Sequence, residues 1–281
     1  MQEKILFKDK LGTLINNKQI VDMLYSIGAN KCDVLYVHTA LNFGLPVLKK
    51  KELLEELYQI FINLSVSTLI FPTYTFSFPN NQDYDVQNSK TSMGLFNEYF
   101  RNQNDVIRST DPLMSNALKG THVEFVNNIG KNSCGKDSTF DLLHQTELNV
   151  KFLFFGARPG DCFTYMHYIE DYLNVPYRYS REFTGKIINN EKTYTDTYYL
   201  PIRYSNVFPG YGSYIYENIM EERGISKKIK IGDSQITIIP EQSAFTLYHD
   251  LVQSYPCFFI SSPFNEKEKT KDFNVENMVA L

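Results

Sequence analysis

Two ionisable side chains in TYMHYIE (residues 164–170), His167 and Glu170, stand three positions apart. On a helix that spacing puts them on one face, so the carboxylate can accept a hydrogen bond from one imidazole nitrogen and leave the other for acid–base work on a ligand. The carboxylate would also fix the tautomer of the ring and raise its basicity. The same two residues on an exposed helix face would be solvated and idle, and spacing does not separate these readings. A zinc site is a poorer match: HExxH does not occur, and an inverted motif needs a second His after the Glu, where the chain has Asp171.

Cys162 precedes His167 by five residues at the start of the same segment. A helix start lowers a thiol pKa, so a Cys162/His167 hydrolase or thioesterase is the reading from another class, against Cys162 as a small apolar filler. Gly130 to Asp137 spell GxxxxGK and then place a carboxylate where a phosphate loop needs a hydroxyl, which suits a turn at a helix entrance. Gly156 with Gly160, and Gly210 with Gly212, complete no dinucleotide fingerprint and read as turns. His38 follows an apolar run and either lines a site or is a satisfied structural residue. Arg108 and Ser109 offer a cation and a hydroxyl of the kind that holds phosphate.

These residues need elements to place them. Residues 18–29 read as a short helix, residues 33–37 as a first core strand, and KKKELLEELYQIFINL as a one-sided helix on Leu53, Leu54, Leu57, Ile60, Phe61 and Leu64. STLIFPTYTF is a buried strand stopped by Pro72, which completes a βαβ unit. Residues 77–92 are polar and read as a long surface loop, followed by a helix over 94–101. TFDLLHQTELNVKFLFFGA reads as a helix and a strand at 151–155, and DCFTYMHYIEDYL as one helix started by Asp161. Residues 177–216 are dense in Tyr and alternate like strands, a small antiparallel excursion. SQITIIP, SAFTLYHDLVQSY and PCFFI then give a strand, a helix and a last apolar run. The pattern predicts one α/β domain over residues 1–281, a three-layer αβα sandwich with a mostly parallel central sheet and ligands at the strand ends.

Composition narrows the class of function. Of 281 residues 43% are hydrophobic, and 28 basic against 32 acidic residues leave a net charge of −4, which gives no basic field for nucleic acid. No apolar run approaches the roughly 18 residues that span a bilayer, so no membrane partner and a cytoplasmic location are expected. The four cysteines (Cys32, Cys134, Cys162, Cys257) are far apart and read as free thiols. With 20 Tyr and no Trp, many hydroxyls need partners; an acceptor pocket or a homodimer interface would use them.

Several motifs in register resemble those of the aminoglycoside 3-N-acetyltransferase family. VHTAL (residues 37–41) with Gly44 is similar to a VHSSL-type loop, FPT (residues 71–73) to MPT, and RSTDPLMS (residues 108–115) with Gly120 to RSxHPxxS. CGKDSTFDLL resembles FGxxSPxDxL, FLFFGA resembles LLLGA, and TYMHYIE resembles the catalytic signature TxLHxAE. The likeness spans residues 35–260. Asp111 stands in place of the family His, Thr139 in place of a Pro and Ile169 in place of a small Ala.

The resemblance implies acetyl-CoA, or another acyl-CoA, as cosubstrate, no metal, and a small-molecule amine as acceptor. It implies His167 as general base and Glu170 as its orienter in direct transfer, with Thr73 and the amides of residues 39–41 as oxyanion donors. His38, Thr39, Ala40, Leu41, Arg108, Ser109 and Ser115 are then expected at the cofactor, and Thr164, Tyr74, Asp171 and Arg178 at the acceptor. A polycationic drug calls for clustered carboxylates, whereas the Tyr-rich region carries Arg178, Arg181 and Arg203. Tyr suits stacking on sugars and Arg suits phosphates, so the expected acceptor is an amino sugar, nucleotide-linked, of surface-glycan biosynthesis. A genuine aminoglycoside acetyltransferase is the alternative, and a non-catalytic binder of CoA or a glycan precursor is a third.

Overall fold

The computed structural model describes residues 2–272. Its centre is a seven-stranded sheet of β3 (Val34–Thr39), β5 (Thr68–Pro72), β7 (Ile107–Arg108), β8 (Asn116–Gly120), β9 (Val150–Phe155), β12 (Lys227–Ile231) and β13 (Ser234–Pro240), in the order β12-β13-β9-β3-β5-β8-β7. Parallel pairing joins β9, β3 and β5. β8 and β13 oppose them, and β7 and β12 oppose β8 and β13 in turn, so five of the seven strands point the same way. The α/β sandwich expected from the element order is therefore present, with antiparallel pairing confined to its flanks.

Alternation along the central strands divides the interior in two. Val34 and Tyr36 of β3, with Phe152 and Phe154 of β9, face one apolar cluster; Leu35, Val37, Leu153 and Phe155 face the other. The second cluster is closed by α1 (Asn17–Ser26), α2 (Lys50–Ile62) and α3 (Leu95–Arg101), and α2 buries the Leu53, Leu54, Leu57, Ile60 and Phe61 stripe there. A capping box of Asn16 and Gln19 starts α1. On the other face lie α5 (Thr139–Gln145), α7 (Tyr165–Tyr172), α8 (Gly212–Glu222) and α9 (Glu241–Ser254). A small sheet of β1 (Ile5–Lys8), β2 (Leu14–Asn16) and β4 (Leu45–Pro46) precedes α2.

The antiparallel excursion is a hairpin of β10 (Arg178–Asn189) and β11 (Lys192–Arg203), paired without a bulge from Arg178 with Arg203 to Asn189 with Lys192. Asn190 takes the left-handed conformation (φ 53°) at the turn, which Asn tolerates well. The excursion is shorter than 177–216, because Gly212 already opens α8 and Tyr216 is buried on that helix.

Two local expectations are corrected. Residues 77–92 are not a loop over the surface: Phe78, Tyr84 and Val86 among the polar residues are buried, and β6 (Tyr84–Asp85) pairs in parallel with β10. Nor is DCFTYMHYIEDYL one helix. Pro159 starts α6 (Pro159–Cys162), Phe163 leaves helical geometry at ψ 76° to bury its ring on Phe152 and Phe154, and α7 begins afresh at Tyr165. Asp161 caps nothing; its carboxylate accepts from the Tyr214 hydroxyl at 2.8 Å. Among the described residues no helix is long and apolar enough to cross a membrane, and no group of His, Cys, Asp and Glu is placed to hold a metal.

The tyrosines answer the question their number raised. Tyr165, Tyr168, Tyr177 and Tyr216 are all buried, and each hydroxyl has an acceptor: Glu241, Asp141, Glu170 and the Ala244 carbonyl in turn. They are core residues with one polar end satisfied. Two of these bonds clamp α7 from behind, through Tyr165 and Tyr168.

Candidate active site

The break at Phe163 starts α7 afresh at Tyr165, and the i, i+3 spacing sets His167 and Glu170 side by side. His167 Nδ1 lies 3.1 Å from Glu170 Oε2. Glu170 is buried, and its other oxygen accepts from the Tyr177 hydroxyl at 2.7 Å. Arg178, at the first position of β10, donates Nε–H to Glu170 Oε2 at 2.6 Å and Nη1–H to the Pro201 carbonyl at 3.0 Å. Its Nη2 is 2.8 Å from His167 Nδ1.

The electrostatics follow from this packing. Burial alone would raise the Glu170 pKa, but Arg178, His167 and Tyr177 outweigh it and hold the carboxyl at about 2. His167 goes the other way from the expected gain in basicity. Burial, and then the positive charge of Arg178, push the imidazole down to about 4, with Arg203 adding to the fall, and the opposing effect of Glu170 is too small to restore it. At neutral pH the pair is a neutral ring beside an ionised carboxylate.

His167, Glu170, Arg178 and Arg203 line one cavity of about 50 Å³, together with Thr164, Cys162, Phe163 and Tyr248. Such a volume admits a few water molecules or one small reacting group. Thr164 opens the turn that carries His167, whose N–H bonds the Thr164 carbonyl at 3.0 Å. Cys162 shares the wall, but burial pushes its thiol up to about 12 and Sγ–H is donated to the Arg158 carbonyl, so no thiolate stands beside His167. Replacing Cys162 by Ala is accordingly expected to leave turnover within about twofold, and a complete loss would revive the hydrolase reading.

The other expected site residues are placed elsewhere. Thr73, expected as an oxyanion donor, is buried and gives its hydroxyl proton to the Ser115 carbonyl at 3.1 Å; Ser115 Oγ–H returns a bond to the Thr73 carbonyl at 2.7 Å. Arg108, expected at phosphate, spends four donors on Thr73 Oγ1 and on the carbonyls of Val86, Ser89 and Thr73. Ser109 Oγ is buried as the acceptor for the Asn116 N–H at 3.0 Å. These residues lock the ends of β5, β7 and β8 and do not reach the cavity. Tyr74, expected at the acceptor, is buried with its hydroxyl 3.1 Å from that of Tyr36. Asp171 is absent from the cavity lining and accepts from Asn132 Nδ2 at 3.3 Å.

Around the end of β3, His38 is buried flat against Phe154 at 5.0 Å with no partner for Nε2, and burial lowers its pKa to about 3. Thr39 bonds Asn97 at 2.5 Å, the Ala40 N–H bonds the Phe155 carbonyl at 2.9 Å, and Leu41 packs on the second apolar cluster. Asp111, where the resembled family has His, is a buried cap: its carboxylate accepts from the N–H groups of Leu113 and Met114 and from Ser133 Oγ. It therefore serves the loop before β8.

Sequence reasoning did not place Arg203, Tyr177 or Tyr248 at the site. The first was within reach. A two-residue turn at Asn190 and Glu191 sets Arg178 opposite Arg203, because both ends lie twelve residues from the turn. Tyr248 comes from α9, some 80 residues after His167, and nothing local marks it.

The family model described as aminoglycoside 3-N-acetyltransferase matches residues 65–253, more than half of the chain. No curated protein matches the sequence significantly. Among solved structures, the aminoglycoside acetyltransferase AAC(3)-IVa apoenzyme superposes with a TM-score of 0.69 at 19% identity, over 94% of this chain and 95% of that one. The AAC-IIIb binary complex with CoASH gives 0.72 at 14% identity, over 88% and 98%. The YokD protein from Bacillus subtilis gives 0.69 at 17% identity, over 85% and 94%. At such identities the structures share a fold; the family model carries the assignment further, and the chain belongs to the aminoglycoside 3-N-acetyltransferase family of acetyl-CoA-dependent N-acetyltransferases.

Proposed function

We propose that this protein acetylates a ring amine of an aminoglycoside by direct transfer, with His167 as the general base and Glu170 as the residue that holds it. The observation that carries the reading is the His167–Glu170 contact in the wall of a narrow cavity, with Nδ1 engaged and Nε2 as the remaining ring nitrogen. Acetyl-CoA supplies a thioester carbon open to attack by a neutral amine. His167 Nε2 takes the proton that the ammonium must lose, and Glu170 stabilises the imidazolium formed. The new C–N bond forms as the C–S bond breaks, the nitrogen gives its second proton to the released thiolate, which leaves as free CoA, and the proton on His167 passes to water. No enzyme nucleophile enters, in keeping with the high Cys162 pKa. Family membership supports an aminoglycoside, and Asp161 in the lining gives an ammonium group a counter-charge.

A second acceptor class has its own support. Arg203 in the lining matches a phosphate better than a polycation, which favours a nucleotide-linked amino sugar. Thiol release from acetyl-CoA, measured against a panel of aminoglycosides and nucleotide-linked amino sugars, decides between them. Turnover is expected with an aminoglycoside; turnover confined to the nucleotide-linked sugars would replace it with the second reading, and no thiol release with any amine would remove both.

A further inference from the structure

We propose that Arg178 is a positioning residue that decides which ring nitrogen of His167 carries the proton, holding the imidazole as the Nε2–H tautomer until an acceptor amine arrives. The inference rests on His167 being the base. Two groups compete for Nδ1: Glu170 Oε2 at 3.1 Å, which can only accept, and Arg178 Nη2 at 2.8 Å, which can only donate. One nitrogen cannot serve both, because it bears either a proton or a lone pair. The shorter contact is the one to the guanidinium, and a guanidinium is always protonated, so in this arrangement Nδ1 accepts and the proton sits on Nε2.

That state is inactive as a base. Nε2, the nitrogen left for the ligand, has a proton to give and none to take. It also cannot activate water, so a bound thioester is protected from hydrolysis while the acceptor is missing. Leaving this state needs little movement. The planar guanidinium is anchored through Nε to Glu170 at 2.6 Å and through Nη1 to the Pro201 carbonyl at 3.0 Å, so it stays in place and the imidazole turns, a small rotation that takes Nδ1 from Nη2 towards Glu170 Oε2. Nδ1–H then donates to Glu170 Oε2, and one proton has passed from Nε2 to Nδ1 by way of cavity water with no net change in charge. An acceptor ammonium favours the shift, since it can donate only to an Nε2 that carries no proton. The charged and titratable groups around the ring are Glu170 on its own helix, Arg178 from β10, Arg203 from β11, Asp161 and Cys162 from α6, and Tyr248 from α9. Glu170 and Arg178 contact Nδ1 directly.

The direct test is the ¹⁵N spectrum of His167 in the free wild-type enzyme near pH 7, where the two neutral tautomers give distinct shifts. The Nε2–H form is expected; the Nδ1–H form would overturn the proposal without any variant being made. In Arg178→Leu the ring is expected to change to Nδ1–H, and acetyl-CoA hydrolysis without an acceptor to rise about tenfold relative to acetyl transfer. A folded Arg178→Leu protein with the wild-type tautomer and hydrolysis ratio would equally overturn it, since a purely structural role lowers both reactions together. Should that variant not fold, Arg178→Met, which keeps much of the side-chain volume and offers no donor to Nδ1, is read the same way. Failure of the base assignment itself is recognised separately, by full acetyl transfer in His167→Ala.

Discussion

Acetyl transfer falls by roughly 10²- to 10⁴-fold when His167 is replaced by Ala, the range a positioned general base contributes, while the fold stands almost unchanged. The two effects separate because of what the imidazole leaves behind. Its removal opens a small space in a wall already lined by a cavity, and Glu170 keeps both Arg178 and Tyr177 as partners. Initial rates of thiol release and a melting curve on the same preparation check both halves. A rate within tenfold of wild type would end the base assignment. The pH dependence has a definite sign as well. With the His167 pKa lowered from 6.5 to about 4, the ring stays neutral across the neutral range, and the contribution of the base is lost only as pH falls through about 4. An unperturbed imidazole would place that loss near 6.5.

Glu170→Ala is expected to cost stability as well as activity. The carboxylate is the counter-charge of a guanidinium whose side chain is 8% exposed, and it accepts the proton of a buried tyrosine. Removing one partner of a buried pair leaves the other charged and unpaired, which costs about 3–5 kcal/mol. Set against a total of about 5–15 kcal/mol, that is a large share, and the melting temperature should drop by on the order of 10 °C. Glu170→Gln keeps the shape and one acceptor oxygen, so it should recover part of the stability and little of the rate. Equal stability of Glu170→Ala and wild type, by calorimetry, would show that Arg178 does not depend on this carboxylate. The same pair makes the protein sensitive to acid. A folded pKa of about 2 against 4.5 means that the Glu170 contribution is whole above pH 4.5 and is lost as pH falls through about 2, below the window set by His167.

How much of this was legible beforehand depends on the range over which each feature is decided. The α2 stripe and the strands at 33–37 and 151–155 are set by local periodicity, and each appears within a few residues of its expected place. The pairing of His167 with Glu170 is also local, one turn of helix. Residues 77–92 misled because their composition is polar overall, while the three apolar side chains that decide their path find partners far along the chain. Arg108 and Arg178 show the same limit. Both are arginines with no local mark of their use, yet one is spent on backbone carbonyls at the ends of three strands and the other is held between a helix and a hairpin.

By itself, the sequence determined the alternation of strands and helices, the presence of an antiparallel excursion, and the placing of His167 and Glu170 on one helix face, because each is a short-range consequence of backbone geometry. Only the tertiary structure decided which charges share the cavity, which tyrosines are buried on carboxylates, and that His167 is made less basic by its surroundings. Those outcomes depend on burial and on distances between segments remote in sequence, and the energy of a charge follows its surroundings rather than its place in the chain.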